Sequence, residues 1–304
     1  MSLKIVFMGT PEFAVPILKS INDSEHKILE VYTLSPRKKD RGKKIHNTPI
    51  HVFSNNNKLK LRFPDKLDSE QECDHLKKLN PDVVVVVAYG KILPDQMLNL
   101  DKIKFINIHA SLLPKWRGAA PIQRSIMNLD SVTGVSIMQI ISKLDEGPVM
   151  MQAKLDIKKD TTFEILSKKM SNLAANKIIE ALDLIENKNA KFIPQNNKEA
   201  TYAKKIDKIE AKINWNENAN KIIAKINALH LNPGTWFSAN GSRIKIIKAI
   251  EVNKQGRPGE VLGGNLTIAC NENAVQILEL KKEGKKVMSA SDFLKGNQIE
   301  KMLF

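Results

Sequence analysis

Two residues that could act on a carbonyl group, Asn107 and His109, end an apolar segment that starts at Phe105. Side chains alternate between the two faces of a β-strand, so Asn107 and His109 project from the same face. A carboxamide can donate a hydrogen bond to a developing oxyanion, and an imidazole can move a proton near neutral pH. The pair therefore predicts chemistry at a carbonyl carbon, although a single histidine at a strand end is more often structural.

A carboxylate partner for the imidazole is available in the turn 143–148, which contains Asp145 and Glu146. A carboxylate that reaches His109 would orient the ring and stabilise the imidazolium. The sequence leaves both carboxylates open as the partner. It also leaves open whether His109 acts as a neutral base or shares the oxyanion as a cation.

The residues that follow the strand form a predicted crevice wall. Residues 111–114 are expected to make a tight apolar turn, and Lys115, Trp116 and Arg117 are expected to bring two cations and an aromatic ring to its rim. Trp116 and Arg117 are better interpreted as packing and positioning groups than as groups that take part in the chemistry.

An α/β architecture is predicted to position these residues. The apolar segment 3–8, the turn at Gly9 and a helical pattern over 13–21 are typical of the opening of a doubly wound, Rossmann-like domain. A second strand is expected at 29–34. Residues 82–88 form an uninterrupted β-branched run, which predicts a central parallel strand that is buried on both faces. The first turn lacks the Gly-x-Gly-x-x-Gly pattern, which argues against NAD.

Later elements of this domain follow from the same signals. Strands are expected over 133–141 and 148–155, and Thr161 with Glu164 is expected to open a long amphipathic helix whose apolar positions serve packing. Ser69 with Glu72 is expected to open an earlier helix, which runs to about residue 80.

The last third of the chain has a different pattern. Residues 188–207 are polar and are predicted to be a linker between a first domain, 1–187, and a second, 208–304. The second domain combines a helix at 222–229 with short strands separated by Gly and Asn, which suggests a small barrel. These strands are expected over 235–237, 243–251, 259–262, 266–269 and 274–280. Ser289 is expected to open a closing helix.

Composition narrows the class of protein. The net charge is +15, and residues 201–304 hold 17 Lys and Arg against 10 Asp and Glu, a modest indication of a nucleic-acid partner. No apolar run is long enough to span a membrane, and the N-terminus lacks the features of a signal peptide. The two cysteines, Cys73 and Cys270, form no ligand pattern, so a cytoplasmic protein without disulfides or a metal site is expected.

A basic loop, 35–44, follows the second strand and carries six cations in ten residues. Such a loop can be a solvated surface, or it can contact phosphates and become ordered on binding.

Residues 107–123 resemble the signature of the folate-dependent formyltransferases, and the likeness extends over essentially the whole chain. The resemblance implies an OB-like second domain and transfer of a formyl group from 10-formyltetrahydrofolate to the methionine of charged initiator tRNA, by a chain expected to act as a monomer. It implies that Asn107, His109 and Asp145 are the catalytic residues. Folate-binding positions would be Tyr89, Gly90, Ser111, Leu112, Leu113 and Pro114, and tRNA-binding positions would be Arg37, Arg41, Lys43 and Lys44. The family more often has arginine where this chain has Lys115, which keeps the charge but loses bidentate pairing.

Three other functions share parts of this pattern. An enzyme that formylates a small amine would need neither the basic loop nor a basic second domain. A hydrolase would use water in place of the amine, with the same catalytic groups. A non-catalytic RNA-binding protein would need none of the three catalytic side chains.

Overall fold

The structure is a computed structural model that describes residues 2–39 and 44–303, with only the backbone for 37–39 and 44. The strands are β1 Lys4–Gly9, β2 Lys27–Tyr32, β3 Arg37–Lys39, β4 Lys44–His46, β5 Leu61–Arg62, β6 Val83–Val87, β7 Lys104–His109, β8 Arg117–Gly118, β9 Val132–Gln139, β10 Val149–Asp156, β11 Tyr202–Ala203, β12 Trp236–Ala239, β13 Ser242–Val252, β14 Thr267–Ala269, β15 Ala274–Lys282 and β16 Met288–Ser289. The helices are α1 Val15–Asn22, α2 Pro49–Asn56, α3 Glu70–Leu79, α4 Asp95–Leu98, α5 Pro121–Met127, α6 Phe163–Glu186, α7 Ala219–Leu229 and α8 Ala290–Gly296.

The chain folds into two compact units that are not continuous in sequence. The first contains residues 1–118, 133–155 and 167–202, and the second contains 119–132, 156–166 and 203–304. No helix in the described ranges is long and apolar enough to cross a membrane.

A seven-stranded mixed sheet forms the centre of the first unit, in the order β10-β9-β7-β6-β1-β2-β5. Strands β5, β2, β1, β6 and β7 run parallel, whereas β9 is antiparallel to β7. Every residue of β6 is buried, and Val84 and Val86 pack in one core with Val6 and Met8 of β1. The predicted central parallel strand, covered on both faces, is therefore confirmed.

The carboxyl ends of β6 and β7 position the candidate site. Because parallel strands end at the same edge, the residues after β6 and those at the end of β7 emerge side by side. Val86 of β6 lies opposite Asn107 of β7 in the register. The loop after β6 and the end of β7 therefore lie side by side at one edge of the sheet.

The second unit contains an antiparallel sheet in the order β12-β13-β15-β14, with β16 paired to β15. Its core includes Trp215, Ile222 of α7 and Phe237 of β12, with Trp215 and Phe237 in an edge-to-face contact at 5.8 Å. The predicted fold class, an α/β domain plus a smaller C-terminal β domain, is confirmed, and the sheet of the smaller domain is antiparallel.

Three predicted details differ from the structure. The strand expected at 259–262 is present only as isolated bridges from Glu260 and Val261. Helix α6 begins after Thr162, whose Oγ1 accepts a hydrogen bond from the Ile165 N–H, and not after Thr161 as predicted. The Thr161 hydroxyl instead accepts a hydrogen bond from the Lys158 N–H. The basic segment 35–44, expected as a loop, contains β3 and the first residue of β4, two strands that pair antiparallel.

Candidate active site

Strand β7 carries Asn107 and His109 to the end of the parallel part of the sheet. His109 is buried, with 6% of its surface exposed, whereas Asn107 is partly exposed. Within residues 2–39 and 44–303, no hydrogen bond occupies the Asn107 carboxamide, so its N–H groups are free to donate to a bound group.

The His109 ring is held by a backbone carbonyl. Its Nε2 lies 2.8 Å from the carbonyl oxygen of Trp116. A carbonyl oxygen can only accept, so Nε2 carries the proton. In the neutral ring the lone pair is then on Nδ1, which is the nitrogen that can accept a proton.

Asp145 is the carboxylate that faces the ring. Its Oδ2 lies 3.7 Å from His109 Nδ1 and accepts a hydrogen bond from the Gly118 N–H at 2.8 Å. Glu146 instead lies 3.5 Å from the guanidinium of Arg117. Of the two carboxylates that the sequence left open, Asp145 is therefore the one that faces His109. A protonated His109 would have this carboxylate as its counter-charge.

The turn after β7 is held by side chains of β9 and β10. The Ser136 hydroxyl donates to the Ser111 carbonyl at 2.7 Å and accepts from the Leu113 N–H at 3.0 Å. Gln152 Nε2 donates to the Leu113 carbonyl and to Ser136, and the Ser111 hydroxyl donates to the Lys115 carbonyl. These bonds fix the shape of the turn that follows β7.

The predicted folate positions differ in exposure. Ser111 and Leu113 are buried, while Leu112 and Pro114 are partly exposed. The Leu113–Pro114 peptide bond is cis.

Tyr89 and Gly90 follow β6 at the same sheet edge, and their environments contrast. Tyr89 is only 2% exposed and belongs to the core beside α3, where burial raises the pKa of its phenol. Gly90 is exposed, with a φ of +87° that favours glycine. The Tyr89 carbonyl accepts a hydrogen bond from the Thr10 hydroxyl at 2.7 Å. The Tyr89 side chain thus lies in the core.

Arg117 does not lie where the sequence predicted. It was expected at the exposed rim of the turn 111–114, yet only 1% of its surface is exposed. Its guanidinium donates to Gln195 Oε1 at 2.8 and 3.0 Å and to Asn197 Oδ1 at 2.7 Å, and Glu146 lies nearby. Burying a cation is tolerated when acceptors surround it in this way.

Gln195 and Asn197 are residues of the site that the sequence analysis missed. They lie in the polar stretch that was interpreted as a linker, and no local pattern distinguishes them from the other polar residues around them. Their place in the site follows from contacts with positions about 50 to 80 residues away in the chain.

The structure describes the backbone of two of the four predicted tRNA-contacting residues. Arg37 and Lys44 lie on β3 and β4, which pair antiparallel with Arg37 opposite His46 and Lys44 opposite Lys39. Arg41 and Lys43 lie outside the described residues.

Comparison with known proteins gives consistent matches. Residues 3–182 match the family model described as formyl transferase, and residues 205–298 match the model described as formyl transferase, C-terminal domain. The methionyl-tRNA formyltransferase of Pelagibacter ubique (strain HTCC1062) is 49% identical over 99% of this chain and 98% of its own length. The enzyme of the same name from Jannaschia sp. (strain CCS1) is 43% identical, with 98% of both chains covered.

Among solved structures, the fold is similar to WlaRD, a sugar 3N-formyl transferase determined in the presence of dTDP and 5-N-formyl-THF. The TM-score is 0.67 at 19% identity, covering 94% of this chain and 100% of that chain, so this likeness concerns the fold. The two family models and the near-complete coverage of relatives above 40% identity show that the chain belongs to the methionyl-tRNA formyltransferase family.

Proposed function

We propose that this chain transfers a formyl group from 10-formyltetrahydrofolate to the α-amino group of methionine on charged initiator tRNA, with Asn107, His109 and Asp145 as the catalytic residues. The observation that carries the proposal is that the Asn107 carboxamide, which forms no hydrogen bond among the described residues, lies on the same strand as His109, whose Nδ1 faces Asp145 at 3.7 Å. This set can stabilise an oxyanion and move one proton, which are the two requirements of acyl transfer to an amine.

The proposed role of Asn107 concerns the attack. The lone pair of the amine nitrogen forms a bond to the formyl carbon, and the carbonyl π electrons move to the oxygen. Asn107 donates an N–H to that developing O⁻. Oxyanion-hole donors act in this way because they are already oriented before charge develops.

The proposed role of His109 concerns the proton. Its Nδ1 accepts the proton that the attacking nitrogen must lose, and the Asp145 carboxylate stabilises the resulting imidazolium. When the bond between the formyl carbon and the donor nitrogen breaks, that nitrogen takes the bonding pair and His109 returns the proton to it. The products are the formylated amine and tetrahydrofolate, and His109 ends as it began.

The folate donor is proposed to bind beside Tyr89, Gly90 and the turn 111–114. The position of both segments at the carboxyl edge of parallel strands supports this, because ligands of open α/β sheets bind at that edge. Since Tyr89 is buried, its contribution would come from its backbone and from packing beneath the ligand.

The acceptor tRNA is proposed to contact the basic segment through Arg37, Arg41, Lys43 and Lys44, and to contact the second domain, 208–304. The excess of positive charge in residues 201–304 supports the latter. Residues 1–187 are proposed as the catalytic domain and 188–207 as the connection. We propose a monomer, since one chain supplies every residue assigned to the reaction, and a cytoplasmic location, where charged tRNA is used.

One assay tests this function. The full chain is supplied with labelled formyl donor and, in parallel, charged initiator tRNA, charged elongator tRNA and free methionine. We expect label on the initiator tRNA and little on the other two. Equal labelling of free methionine would favour a small-amine enzyme, and release of formate without an acceptor would favour a hydrolase.

A further inference from the structure

The segment 193–201 is attached to both halves of the candidate active site. At one end Ile193 and Val149 exchange backbone hydrogen bonds of 2.8 and 2.9 Å at the start of β10. At the other end the Thr201 carbonyl accepts from the Arg117 N–H, and the Thr201 N–H donates to the Pro114 carbonyl. The segment therefore connects the 111–118 loop to the 145–149 turn.

Gln195 lies between these attachments, and its carboxamide uses every hydrogen bond that it can make. Nε2 donates to the carbonyl oxygens of Asp145 at 2.8 Å and Gly147 at 2.7 Å. Oε1 accepts from Arg117 Nε and Nη2. A carboxamide has two donors and two acceptor sites, so none remains for another role. The side chain thus links the buried guanidinium to the backbone on both sides of Glu146.

Asp145 needs such support. Its backbone has a φ of +53°, in the left-handed region that few residues with a Cβ atom adopt, although aspartate and asparagine do so more often than most. Such a conformation persists when the surrounding structure holds it. Gly118 N–H holds the carboxylate, whereas Gln195 holds the main chain. Both hydrogen bonds act on the residue whose Oδ2 faces His109.

We propose that Gln195 is a positioning residue for formyl transfer: Arg117 orients its carboxamide, which holds the Asp145 turn so that the carboxylate faces His109. This inference rests on the proposed function, because it assigns a task to the catalytic Asp145. Gln195 itself does not touch the reacting atoms.

The test is Gln195→Glu in the full chain. Glutamate keeps the length of the side chain and can still accept from Arg117, but its carboxylate cannot donate to the Asp145 and Gly147 carbonyls. We expect kcat to fall about 10²-fold, the effect of a displacement of about 1 Å at a reacting group, with KM for both substrates unchanged. The matched control is Asn196→Ala, an exposed neighbour whose side chain, within the described part of the chain, hydrogen-bonds only to Lys198 and Glu199; this variant should keep full kcat.

A double variant separates positioning from general stability. If Gln195 acts through Asp145, then Gln195→Glu combined with Asp145→Asn has the same kcat as Asp145→Asn alone. Losses that multiply would overturn the inference, as would a Gln195→Glu variant with full kcat. A wild-type chain that transfers no formyl group to charged tRNA would instead overturn the proposed function, and the positioning role with it.

Discussion

The carbonyl oxygen of Trp116 lies 2.8 Å from Nε2 of His109, and this contact determines which ring nitrogen is available. With Nε2 held as a donor, Nδ1 is directed towards Asp145 Oδ2 at 3.7 Å. The gap is longer than a hydrogen bond, which typically spans about 2.7–3.2 Å. This distance can shorten once substrate is bound and His109 is protonated, because catalytic hydrogen bonds often tighten only in the complex with substrate.

Removing the imidazole tests its role directly. His109→Ala should lower kcat by about 10²–10⁴-fold, the usual contribution of general acid–base catalysis. The control is His230→Gln in the second unit, where His230 pairs with Glu164 and takes no part in the proposed chemistry. Steady-state rates with charged tRNA measure the effect. Equal activity of the two variants would contradict the role given to His109.

Neighbouring carboxylates in the same turn provide a matched pair of variants. Asp145→Asn should lower kcat by about 10²-fold, because the imidazolium loses its counter-charge. Glu146→Gln should retain most of the activity, since Glu146 faces Arg117, which keeps its acceptors on Gln195 and Asn197. The comparison uses kcat at saturating substrates. A larger loss in Glu146→Gln than in Asp145→Asn would show that the wrong carboxylate has been assigned.

The turn that carries Asp145 tolerates no side chain at Gly147. A Cβ atom there would lie 1.8 Å from the Gln139 carbonyl oxygen, so the backbone must shift. Gly147→Ala should lower the free energy of unfolding by about 1–3 kcal/mol and reduce kcat. Gly264→Ala, which meets no atom within 4 Å, is the control. Urea unfolding measures both, and similar midpoints for the two variants would argue against a strained turn.

An ion pair in the second unit predicts a pH dependence of stability. Arg124 of α5 donates two hydrogen bonds to the Glu210 carboxylate, and they hold the pKa of that carboxyl below its ordinary 4.5. A lowered folded-state pKa means that the pair stabilises the fold above pH 4.5 and that this contribution is lost as the pH falls through the folded-state value.

Glu210→Gln should therefore lower the free energy of unfolding by about 1 kcal/mol at neutral pH. The difference from wild type should shrink as the pH falls below 4.5. Urea titrations across this range measure it. A difference that stays constant with pH would mean that charge does not carry the effect.

Local signals predicted much of the fold. The β-branched run became β6 because five apolar residues between turn signals fit a strand that is covered on both faces. Ser69 and Ser289 cap α3 and α8 as their spacing predicted, since a cap depends on residues three positions apart. The position of Asn107 and His109 on the same face of β7 follows from strand periodicity alone.

Contacts between distant positions could not be predicted in this way. Arg117 was expected at the surface because a cation is normally solvated, and only acceptors about 80 residues later make its burial favourable. Gln195 is one polar residue in a polar stretch until its partners are known. The choice between Asp145 and Glu146 likewise depends on a left-handed backbone conformation that the sequence does not specify.

The most direct test of the mechanism is the single-turnover rate of formyl transfer to charged initiator tRNA by Asn107→Ala, measured beside wild type with both substrates bound. Loss of the oxyanion donor should slow transfer about 10²–10³-fold, while the affinity for tRNA stays the same. An unchanged rate would contradict the proposed mechanism, because the carboxamide of Asn107 would then have no part in the reaction.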